Sequence, residues 1–501
     1  MIGEHSTDAR VRRWQALTLL MFAIGAMMSA VRAVDVDVGW LLTLGEKMLD
    51  GQRPYIDVFE ANPPMSILLY LPAVALGRIA HIAPEDLVNV LVLLASGVSL
   101  GLSGKIVSRA IGDRETLWKL AAGGAFVLTV LPTGVFTERE HIAVIAILPF
   151  LALSIARGEG AKLGVWLSAL AGIGCGVAMA IKPHFALAAG PPVLLAAVRL
   201  RSPRPIFAVE IWAASLVVGL YALLLVVAFP AFLAFLPVIH DVYLPVRRPL
   251  AMLLLELPPA PAWLGLGVLS AWTSRERPGG AWAAGALFAA SAGGAAAYLI
   301  QGKGWPYHTY PMLALGLLAL IAAGVLGERR TAKSRKLEPI AIARLVIALG
   351  VVAGTMRWFT EKGDYHALNA PVAAIEAHPR LLSISPDIAL GHPLVRELHG
   401  RWVGSVCSQW ISAGVLTLEL RGGLSAARRA RLDGMMAFDR RLLAADIRRG
   451  QPDIILIEQQ YYDWAGWAKV DPALAAALDA YAPVETVQGV TIWARKNRAR
   501  T

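Results

Sequence analysis

The chain has 501 residues, of which 56% are hydrophobic and only 17% are charged, and its mean hydropathy is +0.57. Soluble globular proteins carry about 25% charged residues, so this composition excludes an ordinary soluble enzyme and predicts a polytopic α-helical membrane protein. The formal net charge is +11, but most basic residues lie in short loops and at the C-terminus, where they orient membrane helices. We therefore expect membrane lipids, and no nucleic acid, as partners.

The first apolar stretch runs from residue 14 to 34 and follows a basic segment at 10–13. It is longer than the roughly 7–15 apolar residues of a secretory signal, and no small-residue cleavage site follows it. We therefore expect a retained first helix that begins in the cytoplasm. Further spans are predicted to begin near residues 85, 117, 141, 162, 184, 207, 251, 281, 309 and 339.

The loops between the apolar stretches are of two alternating kinds. Basic loops occur at 10–13, 105–119, 157–162, 199–204, 275–277 and 329–336, and the positive-inside rule places them in the cytoplasm. A full crossing by residues 65–80 would move every later basic loop to the outside. We therefore expect a half-membrane segment there, which returns to the outer face. This gives about eleven transmembrane helices in the cytoplasmic membrane, with the N-terminus inside and the C-terminus outside.

Beyond residue 357 the hydrophobic runs shorten and the charge density rises. Residues 381–385, 454–458 and 487–494 are typical of strands, and residues 425–449 and 473–481 of amphipathic helices. This alternation predicts a small C-terminal α/β domain on the outer, periplasmic face, with domain limits at 1–357 and 358–501. Cys175 and Cys407 lack metal-ligand spacing, and we expect no disulfide between them.

The first outer loop begins with Asp35 and Asp37, directly after the first apolar stretch, and a helix is predicted over residues 39–49 at the membrane interface. These carboxylates could merely solvate a loop. However, two acids beside a membrane span, with no basic residue directly adjacent to either, favour a function as a general base, because low polarity raises the basicity of a carboxylate. A divalent cation held by this pair is left open by the sequence.

The other outer loops carry ionisable side chains, which are costly at a membrane edge and therefore indicate function. Candidates for binding an anion or orienting a substrate are Glu138, Arg139, Glu140, Lys182, His184, Arg247, Arg248, Lys303, Tyr307 and His308. Simpler interpretations also exist: a salt-bridged turn at 138–141, a snorkelling Lys182, an interfacial segment at 247–248 that binds bulk lipid, and an aromatic belt at 305–310.

This pattern resembles the membrane-embedded GT-C glycosyltransferases, including aminoarabinose transferases of lipid A, protein mannosyltransferases and bacterial lipopolysaccharide sugar transferases. The resemblance rests on Asp37, the helix at 39–49, the segment at 51–57 and the pair Pro63-Pro64. Residues 138–141 are similar to the second-loop acidic motif of that group, and residues 303–308 to its late lysine–histidine loop. The chain departs from the group in having Asp-x-Asp instead of Asp-Glu and Asn62 instead of a phosphate-binding lysine. Lys182, Arg247 or Lys303 would then replace that lysine.

The resemblance implies a GT-C-like fold with juxtamembrane helices in the first outer loop. It also implies inverting transfer of a sugar from a polyprenyl-phosphate donor to a cell-envelope glycan, lipid or protein. Asp37 would be the general base, with Asp35 as the runner-up. Glu138 and Glu140 would orient the basic groups or the sugar, and the basic residues above would bind the donor phosphate. Contacts to the sugar or acceptor would come from Tyr55, Asp57, Glu60, Asn62 and Tyr307.

Two other classes of function stay open at this point. A lipid-linked glycan ligase or polymerase would use a lipid-diphosphate donor and would need no aspartate after the first helix. A transporter or flippase of lipid-linked sugars is often built from inverted repeats with charges at mid-membrane. The sequence shows no internal repeat and gathers its charges at one membrane edge, which favours an enzyme. The sugar, the acceptor and the oligomeric state do not follow from the sequence.

Overall fold

The computed structural model describes residues 2–327, 339–361 and 363–496, with side chains from residue 8 onward. The basic loop expected at 329–336 lies outside the described residues. Long apolar stretches form helices because a helix satisfies its own backbone hydrogen bonds. The helices are α1 (Ile2–Ala30), α2 (Val36–Leu49), α3 (Met65–Leu68), α4 (Leu71–Ala80), α5 (Pro84–Val107), α6 (Arg114–Ala125), α7 (Arg139–Gly158), α8 (Val165–Ile181), α9 (Ala186–Arg199), α10 (Val209–Ala228), α11 (Pro230–Val238), α12 (Pro259–Glu276), α13 (Ala281–Gln301), α14 (Pro306–Leu326), α15 (Pro339–Trp358), α16 (Asn369–Ile375), α17 (Leu394–Glu397), α18 (Trp410–Arg421), α19 (Ala426–Gly450), α20 (Trp464–Lys469) and α21 (Pro472–Leu478).

Among the described residues, six helical stretches are long and apolar enough to cross a membrane. They are Pro84–Val107, Arg139–Gly158, Val209–Ala228, Pro278–Gln301, Pro306–Leu326 and Pro339–Trp358. An α-helix begins close to most of the predicted span starts, but α1 already begins at Ile2 and α12 begins only at Pro259. Several of these helices are shorter than a full span. The predicted polytopic helical class is thus confirmed in outline, while the count of eleven stays a prediction.

The segment Met65–Ala80 is helical but does not form one continuous helix. It is split into α3 and α4 around Leu69 and Tyr70, and at 1.5 Å rise per residue it is too short to cross a hydrocarbon core of about 30 Å. This length agrees with the expected half-membrane segment, whose return to the outer face stays a prediction.

The chain divides into two compact units, and both are discontinuous in sequence. The first unit comprises Met1–Arg32, Asp86–Leu223 and Arg248–Glu361. Its helices approach closely where small residues meet: a Cβ added to Gly293 in α13 would lie 1.8 Å from the carbonyl oxygen of Leu187 in α9. Such contacts are typical of helix pairs in membranes, where van der Waals packing drives association.

The second unit comprises Ala33–Glu85, Leu224–Arg247 and Lys362–Thr501. It contains a five-stranded sheet with the order β2-β1-β3-β5-β4. The strands are β1 (Arg380–Ile384), β2 (Arg401–Trp402), β3 (Ile454–Glu458), β4 (Tyr481–Val487) and β5 (Val490–Arg495). Strand β1 pairs in parallel with β2 and β3, whereas β5 pairs antiparallel with β3 and β4.

The C-terminal elements largely match the sequence predictions. The strands expected at 381–385 and 454–458 are β1 and β3, the closing strand is β5, and the helix expected at 425–449 is α19. The helix predicted over 473–481 is wrong at its end, because α21 stops at Leu478 and Tyr481 begins β4. The hydrophobic core contains residues of both sheet and helices: Leu382, Ile384, Val415, Leu443, Ile447, Ile455 and Ile457.

The two earlier segments of the second unit pack onto its C-terminal part through aromatic side chains. The ring centroids of Phe59 and Phe438 are 5.4 Å apart, and those of Phe235 and Trp410 are 6.2 Å apart. The backbone N–H of Phe59 donates to the carbonyl of Ser405 at 2.8 Å. The first outer loop is therefore built into the same body as the small α/β sheet. The domain boundary predicted after residue 357 stays a prediction.

Candidate active site

A buried group of charged residues lies at neighbouring helix ends of the first unit. We call it the charged cluster; its members are Glu138, Arg139, Glu140, Lys182, Gln301, Tyr307 and His308. Local sequence sets these ends: Glu138 caps α7 by accepting from the N–H of Arg139 at 3.3 Å. Lys182 is extended, with φ −149° and ψ 119°, as expected for a residue before proline. Pro306 begins α14, where its missing N–H costs nothing.

Lys182 is the centre of the charged cluster. Its ammonium forms an ion pair with Glu140, donates to Oε1 of Gln301 at 3.2 Å and lies 3.3 Å from Nε2 of His308. Nε2 of His308 is also 3.6 Å from the Glu140 carboxylate. Three sequence candidates from three separate loops thus meet at one point. Lys182 is 8% exposed, so it does not snorkel into solvent.

Tyr307 is buried against the cations of the charged cluster. The guanidinium of Arg139 lies 5.7 Å from its ring centroid, and the Lys182 ammonium 5.5 Å. Its ring meets His308 edge to face at 4.5 Å. An aromatic-belt residue would face the lipid headgroups, whereas Tyr307 is only 6% exposed. The ring therefore shields the charges from the surroundings and stabilises them by cation–π contact.

His141, the fourth ionisable residue of its loop, has a structural position. Its Nδ1 accepts from the N–H of Thr137 at 3.1 Å, and its Nε2 lies 2.7 Å from the carbonyl oxygen of Leu128. Both ring nitrogens are therefore used in fixing the turn before α7. The salt-bridged turn is also present in part, since Arg139 Nε lies 3.8 Å from Glu138.

Three further candidates surround the charged cluster within the first unit. His184 is half-buried, with its Nε2 at 3.4 Å from Nε2 of Gln301. Lys303 is buried between two glycines that both have positive φ, Gly302 and Gly304. Arg248 is exposed, but its N–H donates to the carbonyl of Gly302 at 2.7 Å. This hydrogen bond places Arg248 beside the Lys303 loop.

The charged cluster retains unused polar atoms. Within the described residues, Oε2 of Glu140 and Nδ1 of His308 are buried and have no hydrogen-bond partner. Buried polar atoms are normally paired, so such exceptions call for an explanation, of which a bound ligand is one. With Lys303, two lysines and one arginine stand against the carboxylates of Glu138 and Glu140. The net positive charge of these side chains favours binding of an anionic group.

In the second unit, Asp35 and Asp37 stand at the start of α2 and have different surroundings. Asp35 is buried and caps the helix, because its Oδ1 accepts from the N–H of Asp37 at 3.1 Å. Asp37 lies in the first turn and is half-buried. A helix N-terminus favours negative charge. Because Asp35 is buried and its Oδ1 accepts the capping bond, Asp37 is the more accessible of the two carboxylates.

Four candidates of the first outer loop have partners inside that loop. Glu60 accepts from Nε1 of Trp40 at 2.6 Å and from the N–H of Asn62 at 2.9 Å. The hydroxyl of Tyr55 donates to the Asn62 carbonyl at 2.6 Å. Hydrogen bonds from the side chain and backbone of Arg53 lower the pKa of Asp57. These contacts shape the loop, and contact of the four residues with a sugar or acceptor stays a prediction.

A network of side chains that was not predicted fixes α2 to the C-terminal part of the second unit. Arg396 donates to both carboxylate oxygens of Glu46 at 2.8 and 3.0 Å, to Thr43 at 3.0 Å, and to Glu85. His392 lies between Trp40 and Trp402, at 5.5 and 4.9 Å between ring centroids. Burial, then the charges of Arg396 and Lys47, lower the pKa of His392 well below its usual value. A neutral His392 therefore packs as part of the interior.

Comparison with known proteins adds little to this description. No family model matches the chain, and no curated protein matches it significantly. One similar solved structure is the crystal structure of the Archaeoglobus fulgidus oligosaccharyltransferase, tethered by a disulfide bond to an acceptor peptide with the NVT sequon. The identity is 11%, the alignment covers 96% of this chain and 74% of that chain, and the TM-score is 0.44. A similarity this low establishes neither a shared fold nor a shared function.

Proposed function

We propose that the protein is a membrane glycosyltransferase that moves a sugar from a polyprenyl-phosphate donor to a cell-envelope glycan, lipid or protein. The charged cluster is the observation that carries this proposal. It places Lys182, Arg139 and His308 in a buried site at the ends of apolar helices, where a lipid would deliver a phosphate. The resemblance of the first outer loop to GT-C transferases supports the same function. Transfer would occur on the outer face of the cytoplasmic membrane, where nucleotide sugars are lacking.

The transfer is a displacement at the anomeric carbon of the sugar. Asp37 accepts the proton of the acceptor hydroxyl, whose oxygen forms the new glycosidic bond while the bond to the donor phosphate oxygen breaks. Attack from the opposite face inverts the anomeric configuration. Asp35 is the runner-up as base. In this proposal its capping role holds the first turn of α2, and with it Asp37, in place.

The leaving group is a phosphate that is already an anion, so it needs stabilisation of charge more than a proton. Lys182, Arg139, His184, Lys303, His308 and Arg248 supply it in this proposal. Glu140 and Glu138 orient the cations, as the Lys182–Glu140 ion pair illustrates. Tyr55, Asp57, Glu60, Asn62 and Tyr307 contact the sugar or acceptor. The carboxylates of Asp35 and Asp37 offer the oxygen ligands that a divalent cation would need.

Sugar transfer by the purified full-length protein tests this proposal. A panel of radiolabelled undecaprenyl-phosphate sugars is offered to wild type, Asp37→Asn and Asp50→Asn, with and without EDTA. Asp50 is a matched control, since it is an exposed carboxylate at the other end of α2 that pairs with Arg78 at 2.9 Å. We expect Asp37→Asn to lose about 10²–10⁴-fold in release of polyprenyl phosphate, and Asp50→Asn to match wild type.

The other outcomes separate the competing functions. Full activity of Asp37→Asn would move the base to Asp35 or Glu140. If no donor of the panel turns over but a lipid-linked glycan binds, the protein is a ligase or flippase instead. Loss of activity in EDTA that Mg²⁺ or Mn²⁺ restores would assign a metal-assisted reaction.

A further inference from the structure

A surface pocket of the second unit is lined by basic side chains to which the proposed transfer assigns no role. One of them is Arg247, whose predicted binding of the donor phosphate stays a prediction. Its volume is about 460 Å³, and its charged or ionisable lining residues are His240, Asp241, Arg247, Arg428 and Arg431. We call it the basic pocket. His240 and Asp241 lie on the π-helical turn Ile239–Tyr243, Arg247 follows it, and the other two arginines lie in the first turns of α19.

The basic pocket holds more positive than negative charge. Asp241 is its one carboxylate; it lies 3.0 Å from Nδ1 of His240 and 4.0 Å from Nε of Arg431. The lining residues of the pocket thus include three guanidinium groups and one carboxylate. The side chains of His240 and Arg431 are 79% and 65% exposed, so a ligand from solution or from the membrane surface can reach them.

The backbone around the basic pocket is held firmly. Arg421 donates to the carbonyls of Pro245 and Arg247 at 3.0 and 2.8 Å. Val242 is fully buried in the core, and a Cβ added to Gly414 would lie 2.3 Å from it. Ser425 caps α19 by accepting from the N–H of Arg428 at 3.3 Å. The arginines are thus presented from fixed backbone, which lowers the entropy that ligand binding must overcome.

We infer that the basic pocket binds a phosphate group, either as the headgroup of an anionic lipid or on a soluble molecule. Guanidinium groups bind phosphate oxygens with paired, charge-assisted hydrogen bonds, and three of them converge here. The inference also assigns different roles to two arginines that are neighbours in sequence. Arg247 lines the basic pocket, whereas the N–H of Arg248 donates to the carbonyl of Gly302 in the first unit. It does not depend on sugar transfer, because the test measures binding alone.

The test compares two charge-matched variants of the full-length protein in detergent. The pocket variant is Arg247→Gln/Arg428→Gln/Arg431→Gln. The control variant is Arg429→Gln/Arg441→Gln/Arg448→Gln, whose arginines are exposed on α19 but do not line the pocket. The probes are inorganic phosphate, short-chain phosphatidylglycerol and, as a neutral-headgroup control, short-chain phosphatidylcholine. Circular dichroism tests whether each variant folds. If the triple pocket variant misfolds, the single variant Arg431→Gln is used in its place.

We expect the dissociation constant of a phosphate probe to rise about tenfold or more in the pocket variant and to stay near wild type in the control variant. Binding of phosphatidylglycerol alone would identify a lipid headgroup as the ligand, and binding of inorganic phosphate would identify a free phosphate group. Equal weakening in both variants would overturn the inference in favour of diffuse surface charge. Absence of binding of either phosphate probe to wild type would also overturn it.

Discussion

At the scale of single residues, variants of the Lys182–Glu140 ion pair distinguish two roles for Lys182: binding of the donor and stabilisation of the fold. Lys182→Met leaves the carboxylate of Glu140 buried without its cation, which typically costs about 3–5 kcal/mol. The double variant Lys182→Met/Glu140→Gln removes both charges and should recover most of that stability. We expect its sugar transfer to stay lost, since the ammonium of Lys182 is then missing from the proposed phosphate site. Apparent unfolding temperatures and initial rates of the wild type and both variants measure the two effects separately.

A second ion pair, with a buried glutamate and a half-buried arginine, provides the control for this comparison. Arg157, near the other end of α7, pairs with Glu210, and this glutamate is 2% exposed. Arg157→Met/Glu210→Gln makes the same chemical change away from the charged cluster and should keep wild-type rates. Recovery of activity in the Lys182/Glu140 double variant would show that Lys182 serves only the packing of α7 and α8.

At the scale of elements, the network of Arg396 predicts that α2 positions the proposed base, Asp37. Glu46, Thr43 and Glu85 all depend on this one guanidinium. Arg396→Met should let the helix shift, and a displacement of about 1 Å can cost about 10²-fold in rate. The donor KM should change by less than about twofold, because the proposed phosphate ligands are on other helices. Steady-state kinetics with varied donor measure both quantities.

The conservative variant and an exposed arginine test whether this effect is specific. Arg396→Lys keeps the charge but cannot bind Glu46 through two parallel hydrogen bonds, so its kcat should be intermediate. Arg401→Met changes an exposed residue of β2 and should behave like wild type. A rise in KM at constant kcat would contradict a positioning role for α2.

Regular elements were predictable where burial imposes a pattern. Strand β3, Ile454–Glu458, is buried along its whole length, and a short apolar run between polar segments predicts such a strand. Strand β4 was partly missed, because alanines after Pro472 favour helix and Pro483 argues against a strand. Pro483 is tolerated because β4 is an edge strand. Strand β2 has two residues, Arg401 and Trp402, too few to form any periodicity.

Membership of the charged cluster was predictable from the cost of charge near a membrane, but the contacts within it were not. That cost identified Glu140, Lys182 and His308 without any alignment. Hydropathy assigns a residue to one membrane face, yet it does not say which loops of that face meet. Lys182 and His308 are 126 residues apart in sequence. His392 and Arg396 lie in no apolar run, and their importance follows only from packing against α2.

At the scale of the whole molecule, membrane orientation is testable with two single cysteines in a background of Cys175→Ala/Cys407→Ala. Lys162→Cys lies in a basic loop predicted to be cytoplasmic, and Ala427→Cys lies on α19; both positions are exposed. In spheroplasts, an impermeant maleimide should label position 427 at once and position 162 only after permeabilisation, because basic loops stay inside. The pattern of the two labels shows which part of the predicted topology is wrong. If Met65–Ala80 crosses fully, both positions change side. If instead one stretch after residue 162 fails to cross, only position 427 does.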